Sequence, residues 1–133
     1  MIDTPVSLPE GQPALRLVPM PQNENMFGDI FGGWIMAHVD IAGGVAAMRR
    51  ARGRVATVAV NAFRFQQPVS SGDLVSFYAS ILSVGKTSLS VSVEVFAERH
   101  PQNPVTVKVT EATLTYVAID DSGNKRDVPA ENA

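Results

Sequence analysis

The 133-residue sequence contains no cysteine, and this absence removes several kinds of chemistry. Without thiols the chain cannot form a disulfide, use a cysteine nucleophile or bind zinc through sulfur ligands. Histidine is scarce as well, since only His38 and His100 are present, so a histidine-rich metal site is excluded. A Ser-His-Asp triad would have to use one of these two residues. The sequence therefore implies no required metal or redox cofactor.

The sequence also lacks an excess of positive charge and any long apolar run. Its formal net charge is -2 and its pI about 5.6, whereas nucleic-acid-binding domains are usually basic, so we expect no nucleic-acid partner. No stretch of about 18 apolar residues is free of charge, and residues 1–10 lack the basic start and apolar run of a signal peptide. We therefore expect no membrane partner and a cytoplasmic location. One basic cluster leaves a local phosphate contact open: Arg49, Arg50, Arg52 and Arg54.

The length fits one domain, and a hydrophobic content of 45% predicts a folded chain with its own core. Prolines in residues 1–13 indicate a loose N-terminal arm. Residues 14–119 form the predicted domain, and residues 120–133 form a polar C-terminal tail.

Residues 33–51 predict a helix that is apolar on every side. Among residues 34–48, only His38 and Asp40 are polar. A helix without a polar face is expected to be buried all round. Gly53 suits the end of this helix.

After the helix, apolar residues recur with a period of two, which predicts strands joined by short turns. The absence of crossover helices favours an antiparallel sheet. The predicted fold class is α+β, with one curved antiparallel sheet wrapped around the helix. A single sheet covers only one side of such a helix, and the outer sheet face also carries apolar residues, so we expect a homo-oligomer. The predicted strands are residues 14–18, 54–66, 74–84, 87–97 and 105–119.

Asp40 is the main candidate for chemistry. It lies in the interior of the helix, where aspartate is unfavourable, and eight residues after Gly32 it is too far from the helix start to be a cap. A carboxylate in apolar surroundings is costly unless it gains partners. Asp40 therefore faces a cleft or an interface, or else it is a surface residue or pairs with an arginine.

Two pairs of glycines belong to the predicted helix. Gly32 and Gly33 at its start allow a substrate to approach backbone N–H groups, which together with the helix dipole can bind an oxyanion. The alternative is a flexible turn. Gly43 and Gly44 cost about 1 kcal/mol each relative to alanine inside a helix. They indicate a close approach to the backbone, either by a packed neighbouring element or by a thin ligand, and core packing is the simpler of the two reasons.

Residues 23–36 read Asn-Glu-Asn-Met-Phe-Gly-Asp-Ile-Phe-Gly-Gly-Trp-Ile-Met, and His-Val-Asp follows at residues 38–40. This run closely resembles the YciA-type acyl-CoA thioesterases of the hotdog superfamily. Four further segments share the resemblance: Gly-Arg-Val-Ala-Thr-Val at 53–58, Phe-Gln-Gln-Pro-Val at 65–69, Gly-Asp at 72–73 and Gly-Lys-Thr-Ser at 85–88.

The resemblance implies a hotdog fold, in which a five-stranded antiparallel sheet wraps around one long buried helix. It implies hydrolysis of fatty acyl-CoA to free acid and coenzyme A. It also implies a homodimer with two active sites at the subunit interface, often assembled to a hexamer. The catalytic aspartate of the family falls on Asp40 and its oxyanion amide on the Gly32-Gly33 helix start. Many relatives carry histidine before the glycine pair, where this chain has Phe31, so no role for that histidine is carried over.

On this basis Asp40 of one subunit acts on a thioester held at the helix start of the other, either as a general base for water or as a nucleophile. Asn25 and Asp29 could orient the water or Asp40, although such loop residues often only form turns. The candidates for an apolar acyl slot, each of which could equally be core, are Trp34, Met36, Phe63 and Phe65. The candidates for binding the coenzyme A phosphates, each of which could equally be solvated, are Arg54, Arg64, Lys86, Thr87 and Ser88.

Two other functions fit parts of the sequence. A hotdog dehydratase or hydratase would need a histidine with a carboxylate, and His38 is two residues from Asp40 and does not share its helix face. A non-catalytic acyl-CoA sensor would keep the pocket without needing Asp40.

Overall fold

One long helix and five strands make up the described part of the computed structural model, which covers residues 6–132. Residues 1–5 of the predicted arm and residue 133 of the predicted tail lie outside the described residues. The helix and every strand begin and end within two residues of the predicted positions. In chain order the elements are β1 (Leu15–Leu17), a 3-10 turn (Pro21–Asn23), α1 (Gly32–Ala51), β2 (Val55–Phe65), β3 (Leu74–Val84), β4 (Ser88–Arg99) and β5 (Val105–Ala118).

The five strands form one antiparallel sheet in the order β1-β3-β4-β5-β2, and α1 packs against one face of it. Strand β4 keeps the alternation that predicted it: Leu89, Val91, Val93 and Val95 are all buried in the core with the helix. Each such side chain stabilises the fold by roughly 1.5–3 kcal/mol. The α+β hotdog arrangement expected from the resemblance is confirmed.

Only one face of α1 is buried within the chain. Its core-facing residues include Ile35 and Val39, whereas Met36, Ile41 and Met48 on other sides are 44%, 51% and 45% exposed. The expectation of burial on every side is therefore wrong for a single chain. No helix within residues 6–132 is long and apolar enough to cross a membrane.

Strand β2 is the edge of the sheet on the side away from β1, and none of its eleven residues is buried. Val58 and Val60 are 57% and 48% exposed. A long edge strand with exposed apolar side chains offers unpaired backbone groups to another strand. The exposed residues of β2 and of α1 therefore leave two apolar surfaces that this chain does not cover.

Arginines hold the polar tail against the end of α1 and the start of β2. Arg50 Nη1 donates to the carbonyl oxygen of Pro129 at 2.7 Å. Arg54 Nη1 donates to the carbonyl oxygens of Asp120 at 3.2 Å and Asp121 at 2.9 Å. Part of the basic cluster thus binds backbone carbonyls of its own chain.

Candidate active site

The carboxylate of Asp40 is anchored through one oxygen. Oδ1 accepts a hydrogen bond from Thr57 Oγ1 at 2.7 Å and another from the Tyr116 hydroxyl at 3.0 Å. The same hydroxyl lies 2.9 Å from the main-chain oxygen of Asp40, so its single proton is shared between the two oxygens of this residue. Within residues 6–132, Oδ2 accepts no hydrogen bond. Asp40 is half-buried, so this second oxygen is the one available to a substrate or a water molecule.

Strand pairing brings these groups together from distant parts of the chain. Thr57 on β2 is paired with Tyr116 on β5, which in turn is paired with Leu89 on β4. Helix α1 crosses this row of residues and places Asp40 above it. Tyr116 is only 1% exposed, and a buried phenol hydroxyl needs an acceptor, which Asp40 supplies.

Burial raises the pKa of Tyr116, and the hydrogen bond from its hydroxyl to Asp40 and the negative charge of Asp40 raise that pKa further. The phenol therefore stays protonated and remains a donor at neutral pH. The hydrogen bond from Tyr116 to Asp40 Oδ1 requires such a protonated hydroxyl.

Gly43 permits the close approach of Tyr116 to the helix. A Cβ at Gly43 would lie 2.4 Å from the Tyr116 hydroxyl oxygen and 3.2 Å from two of its ring carbons. The close approach predicted for Gly43 is thus confirmed, and the element that approaches is β5 of the same chain, through Tyr116. At Gly44 a Cβ would lie 3.9 Å from Tyr116 Cε2, an ordinary contact, so no similar approach explains that glycine.

The predicted oxyanion glycines are the first two residues of α1. Phe31 caps this end without a side-chain hydrogen bond, and the first N–H groups of a helix have no acceptor within it. A Cβ at Gly33 would meet nothing within 4 Å, so the space beside it is open, whereas Gly32 lies under the ring of Phe65. The helix dipole adds positive potential here. The helix start can therefore bind a partial negative charge.

An apolar pocket of about 260 Å³ lies beside the helix start. Of the four residues predicted to line an acyl slot, Phe65 lines this pocket, and Phe63 packs against Phe65 with ring centroids 5.0 Å apart. Trp34 and Met36 do not line it; Trp34 packs against His38, with ring centroids 4.2 Å apart. The lining residues are Ile30, Gly32, Ile35, Phe65, Gln66, Gln67, Pro68 and Val69.

Four of the five predicted phosphate-binding residues come together at one end of the sheet. Lys86, Thr87 and Ser88 lie at the turn between β3 and β4, next to Arg54 at the start of β2. Two backbone hydrogen bonds at the end of β5 join these segments. The N–H of Ala118 donates to the carbonyl oxygen of Thr87 at 2.8 Å, and the N–H of Ile119 donates to the carbonyl oxygen of Arg54 at 3.0 Å. Arg64 is at the other end of β2, opposite Glu111 on β5.

The remaining polar candidates have local partners. Asn25 Oδ1 accepts from the N–H groups of Phe27 at 2.8 Å and Asp29 at 3.2 Å, which builds a turn in the loop before α1. His38 Nδ1 donates to the carbonyl oxygen of Trp34 at 2.7 Å, so its ring is directed along the helix rather than toward Asp40. A role of Asn25 or Asp29 at the active site stays a prediction.

Thr57 and Tyr116 are missing from the residues singled out by sequence. One signal points to Tyr116: it is the only aromatic residue in the inward-facing series Leu114, Tyr116 and Ala118 of β5, and its buried hydroxyl needs a partner. Thr57 carries no comparable signal, since threonine is common in strands.

Comparison with known proteins gives consistent matches over most of the chain. The family model of the thioesterase superfamily matches residues 27–103. The acyl-CoA thioester hydrolase YciA of Escherichia coli is 41% identical over 132 residues, which cover 98% of this chain and 100% of that protein. A hexameric thioesterase from Yersinia pestis has a TM-score of 0.85 at 41% identity, covering 92% of this chain and 99% of its own.

A more distant structure is the acyl-CoA hydrolase of Staphylococcus aureus, solved in complex with butyryl coenzyme A and coenzyme A. Its TM-score is 0.80 at 28% identity, covering 87% of this chain and 70% of its own. Two mutants of that enzyme have also been solved, in which an aspartate or a threonine is replaced by alanine.

Proposed function

Because this chain belongs to the thioesterase superfamily and to its YciA-like acyl-CoA thioester hydrolases, we propose that Asp40 drives hydrolysis of an acyl-CoA at a site that two subunits complete together. The protein is a thioester hydrolase. The observation that carries the assignment to Asp40 is its half-anchored carboxylate, with Oδ1 held by two hydroxyls and Oδ2 open. In the Staphylococcus aureus enzyme the mutated aspartate and threonine are 17 residues apart, as Asp40 and Thr57 are here.

The chemistry follows from two groups, the backbone amides at the start of α1 and the carboxylate of Asp40. The thioester carbonyl oxygen accepts a hydrogen bond from the N–H of Gly32 or Gly33, which stabilises the negative charge of the tetrahedral intermediate. Oδ2 of Asp40 takes a proton from water as the water oxygen attacks the carbonyl carbon. The C–S bond then breaks, the proton passes to the sulfur, and the products are the carboxylic acid and coenzyme A. In the alternative course Oδ2 attacks the carbonyl carbon, the C–S bond breaks and coenzyme A leaves as the thiolate. Water then hydrolyses the mixed anhydride to the carboxylic acid and the Asp40 carboxylate, and the proton that water gives up passes to the thiolate.

One chain alone does not bring these groups together. Eight residues of helix separate Gly32 from Asp40, a distance of about 12 Å at 1.5 Å per residue. A carbonyl group bound to the amide at one end of this span lies outside direct reach of a carboxylate at the other end. This separation supports a site in which the two groups come from different copies of the chain.

Pairing of two β2 edges supplies the second copy. Antiparallel self-pairing about Val60, the midpoint of β2, would place Thr57 of one copy opposite Phe63 of the other. Phe63 contacts Phe65, whose ring covers Gly32. Thr57 and Asp40 of one subunit would thus lie near the start of α1 in the other subunit, and the exposed valines of β2 would become buried. By analogy with the hexameric thioesterase of Yersinia pestis, three such dimers form a hexamer.

The same arrangement supports a binding site for the coenzyme A phosphates. Ser88 lies one residue pair from Tyr116, because it pairs with Val117, and Arg54, Lys86 and Thr87 lie farther toward the same end of the sheet. Self-pairing of β2 also brings Arg64 of the second copy to the end of β2 where Arg54 lies. Cationic and hydroxyl donors from both subunits are suited to a diphosphate and a phosphate monoester.

Asp40→Asn tests the proposal, because it keeps the size of the side chain and removes the base. We expect kcat for thiol release from acyl-CoAs of increasing chain length to fall by about 10²–10⁴-fold. Coenzyme A binding, measured by calorimetry, should be retained. Asp121→Asn, at an exposed position in the tail, is the control and should be fully active. Full activity of D40N would remove Asp40 from the mechanism, and binding without any thiol release by the unmodified protein would favour the sensor.

A further inference from the structure

We propose that Tyr116 is a positioning residue that aims the carboxylate of Asp40, and that Gly43 is required because it leaves room for the Tyr116 hydroxyl. The inference rests on the proposed role of Asp40 and adds a second requirement to it. Tyr116 itself contacts neither the substrate nor the attacking water and acts only through Asp40.

The hydroxyl of Tyr116 fixes the orientation of one side chain. Its single proton is shared between the main-chain oxygen of Asp40, at 2.9 Å from the hydroxyl oxygen, and Oδ1 of the same residue, at 3.0 Å. A single group that contacts both ends of the residue restricts rotation about the bonds between them. Thr57 alone would leave this freedom, since Oδ1 is the one Asp40 atom to which it donates, and it lies on an exposed edge strand. With both contacts, the direction of Oδ2 is set.

Packing by itself does not account for this hydroxyl. A phenylalanine ring would fill the same buried space between Thr57 on β2 and Leu89 on β4. Both acceptors of the Tyr116 hydroxyl belong to Asp40. The main-chain oxygen of Asp40 is already in position to accept the helical N–H of Gly44, four residues on. The group that gains most from the hydroxyl is therefore the carboxylate.

Gly43 is the counterpart of this contact on the helix. Glycine is a poor helix former, yet alanine at this position would bring its Cβ within 2.4 Å of the Tyr116 oxygen. The ring cannot easily yield, because Tyr116 is only 1% exposed and two of its ring carbons would also be 3.2 Å from the new methyl group. Gly44 provides a matched comparison in the same helix, since a methyl group there makes only an ordinary contact.

The consequence is kinetic. Displacement of a reacting group by about 1 Å can cost about 10²-fold in rate. Loss of the Tyr116 contact lets Oδ2 adopt unproductive directions, which lowers kcat. It leaves the groups that bind coenzyme A in place, so KM should change little.

The test uses Tyr116→Phe, Gly43→Ala, Gly44→Ala and the double variant Y116F/G43A in the full-length protein, assayed by thiol release. We expect Y116F and G43A each to lower kcat by about 10–100-fold with KM changed less than about threefold, and G44A to keep the unmodified kcat. The double variant should be no slower than Y116F alone, because both changes break one contact. Circular dichroism melting shows whether each variant is folded.

The outcomes separate this inference from the role of Asp40. If D40N is inactive while Y116F keeps the unmodified kcat, the positioning role is refuted and Asp40 stands. If D40N is active, the proposed function fails first. A multiplicative loss in the double variant would also refute the inference, because the two residues would then act independently. Should Y116F not fold, the comparison of G43A with G44A decides: equal kcat values overturn the proposal.

Discussion

Substitution of Gly32 by proline isolates the proposed oxyanion donor. Gly32 is the first residue of α1, where proline is favoured, and Phe31 before it has φ -54° and ψ 134°, the extended conformation that a following proline requires. The helix does not use the N–H of its first residue. The variant should therefore fold and lose one hydrogen-bond donor. If that donor binds the oxyanion, kcat should fall by about 10²–10³-fold, equivalent to about 3–4 kcal/mol on the barrier.

Gly32→Ala is the matched control for the added bulk. A Cβ at this position lies 3.3 Å from two atoms of the Phe65 ring, so both variants push that ring by a few tenths of an ångström. Alanine keeps the N–H, and only proline removes it. The ratio of the two kcat values, from thiol release at saturating acyl-CoA, measures the donor. Equal values would show that the amide of Gly32 is not part of the oxyanion site.

Mixing the two inactive variants tests whether the site is shared. A heterodimer of D40N and G32P carries one site in which both groups are altered and one in which both are intact. Random exchange of subunits makes half of the dimers mixed, so about 25% of the full activity should return. No recovery after denaturation and joint refolding would contradict a site built from two chains.

Two further predictions concern the interface and the buried tyrosine. Val60→Asp should weaken subunit association about 100-fold, as measured by ultracentrifugation. The reason is that two charges about 5 Å apart across the β2 pair repel by about 3 kcal/mol at an effective dielectric constant of 20. Gln102→Glu, in an exposed turn, is the control and should not weaken association, and an active V60D monomer would refute the shared site. Because burial raises the pKa of Tyr116, its stabilising effect is complete below the unfolded value of about 10 and is lost as pH rises through the folded pKa. In the Tyr78→Phe variant, which leaves Tyr116 as the one tyrosine, ultraviolet titration should show no ionisation near pH 10; ionisation there without unfolding would contradict the raised pKa.

Local patterns in the sequence were enough for the elements of the fold. The period of two in β4 and the apolar run of α1 predicted both elements within two residues, because burial imposes these spacings on neighbouring residues. Asp40 could be singled out for the same reason, since a polar residue in an apolar helix is visible within a single turn. The glycine pair at residues 32–33 was likewise a local signal.

Only the tertiary structure assigned partners to Asp40. Tyr116 is 76 residues from it in the chain and contacts it because β5 lies between β4 and β2 in the sheet. Alternation tells which face of a strand is buried, and it says nothing about which strands are neighbours. The backbone partners of Arg54 were hidden for a related reason: the carbonyl oxygens it binds belong to a turn that reaches it only after β5 has paired with β2. Contacts between distant segments depend on strand order, which is set by the global balance of burial and pairing.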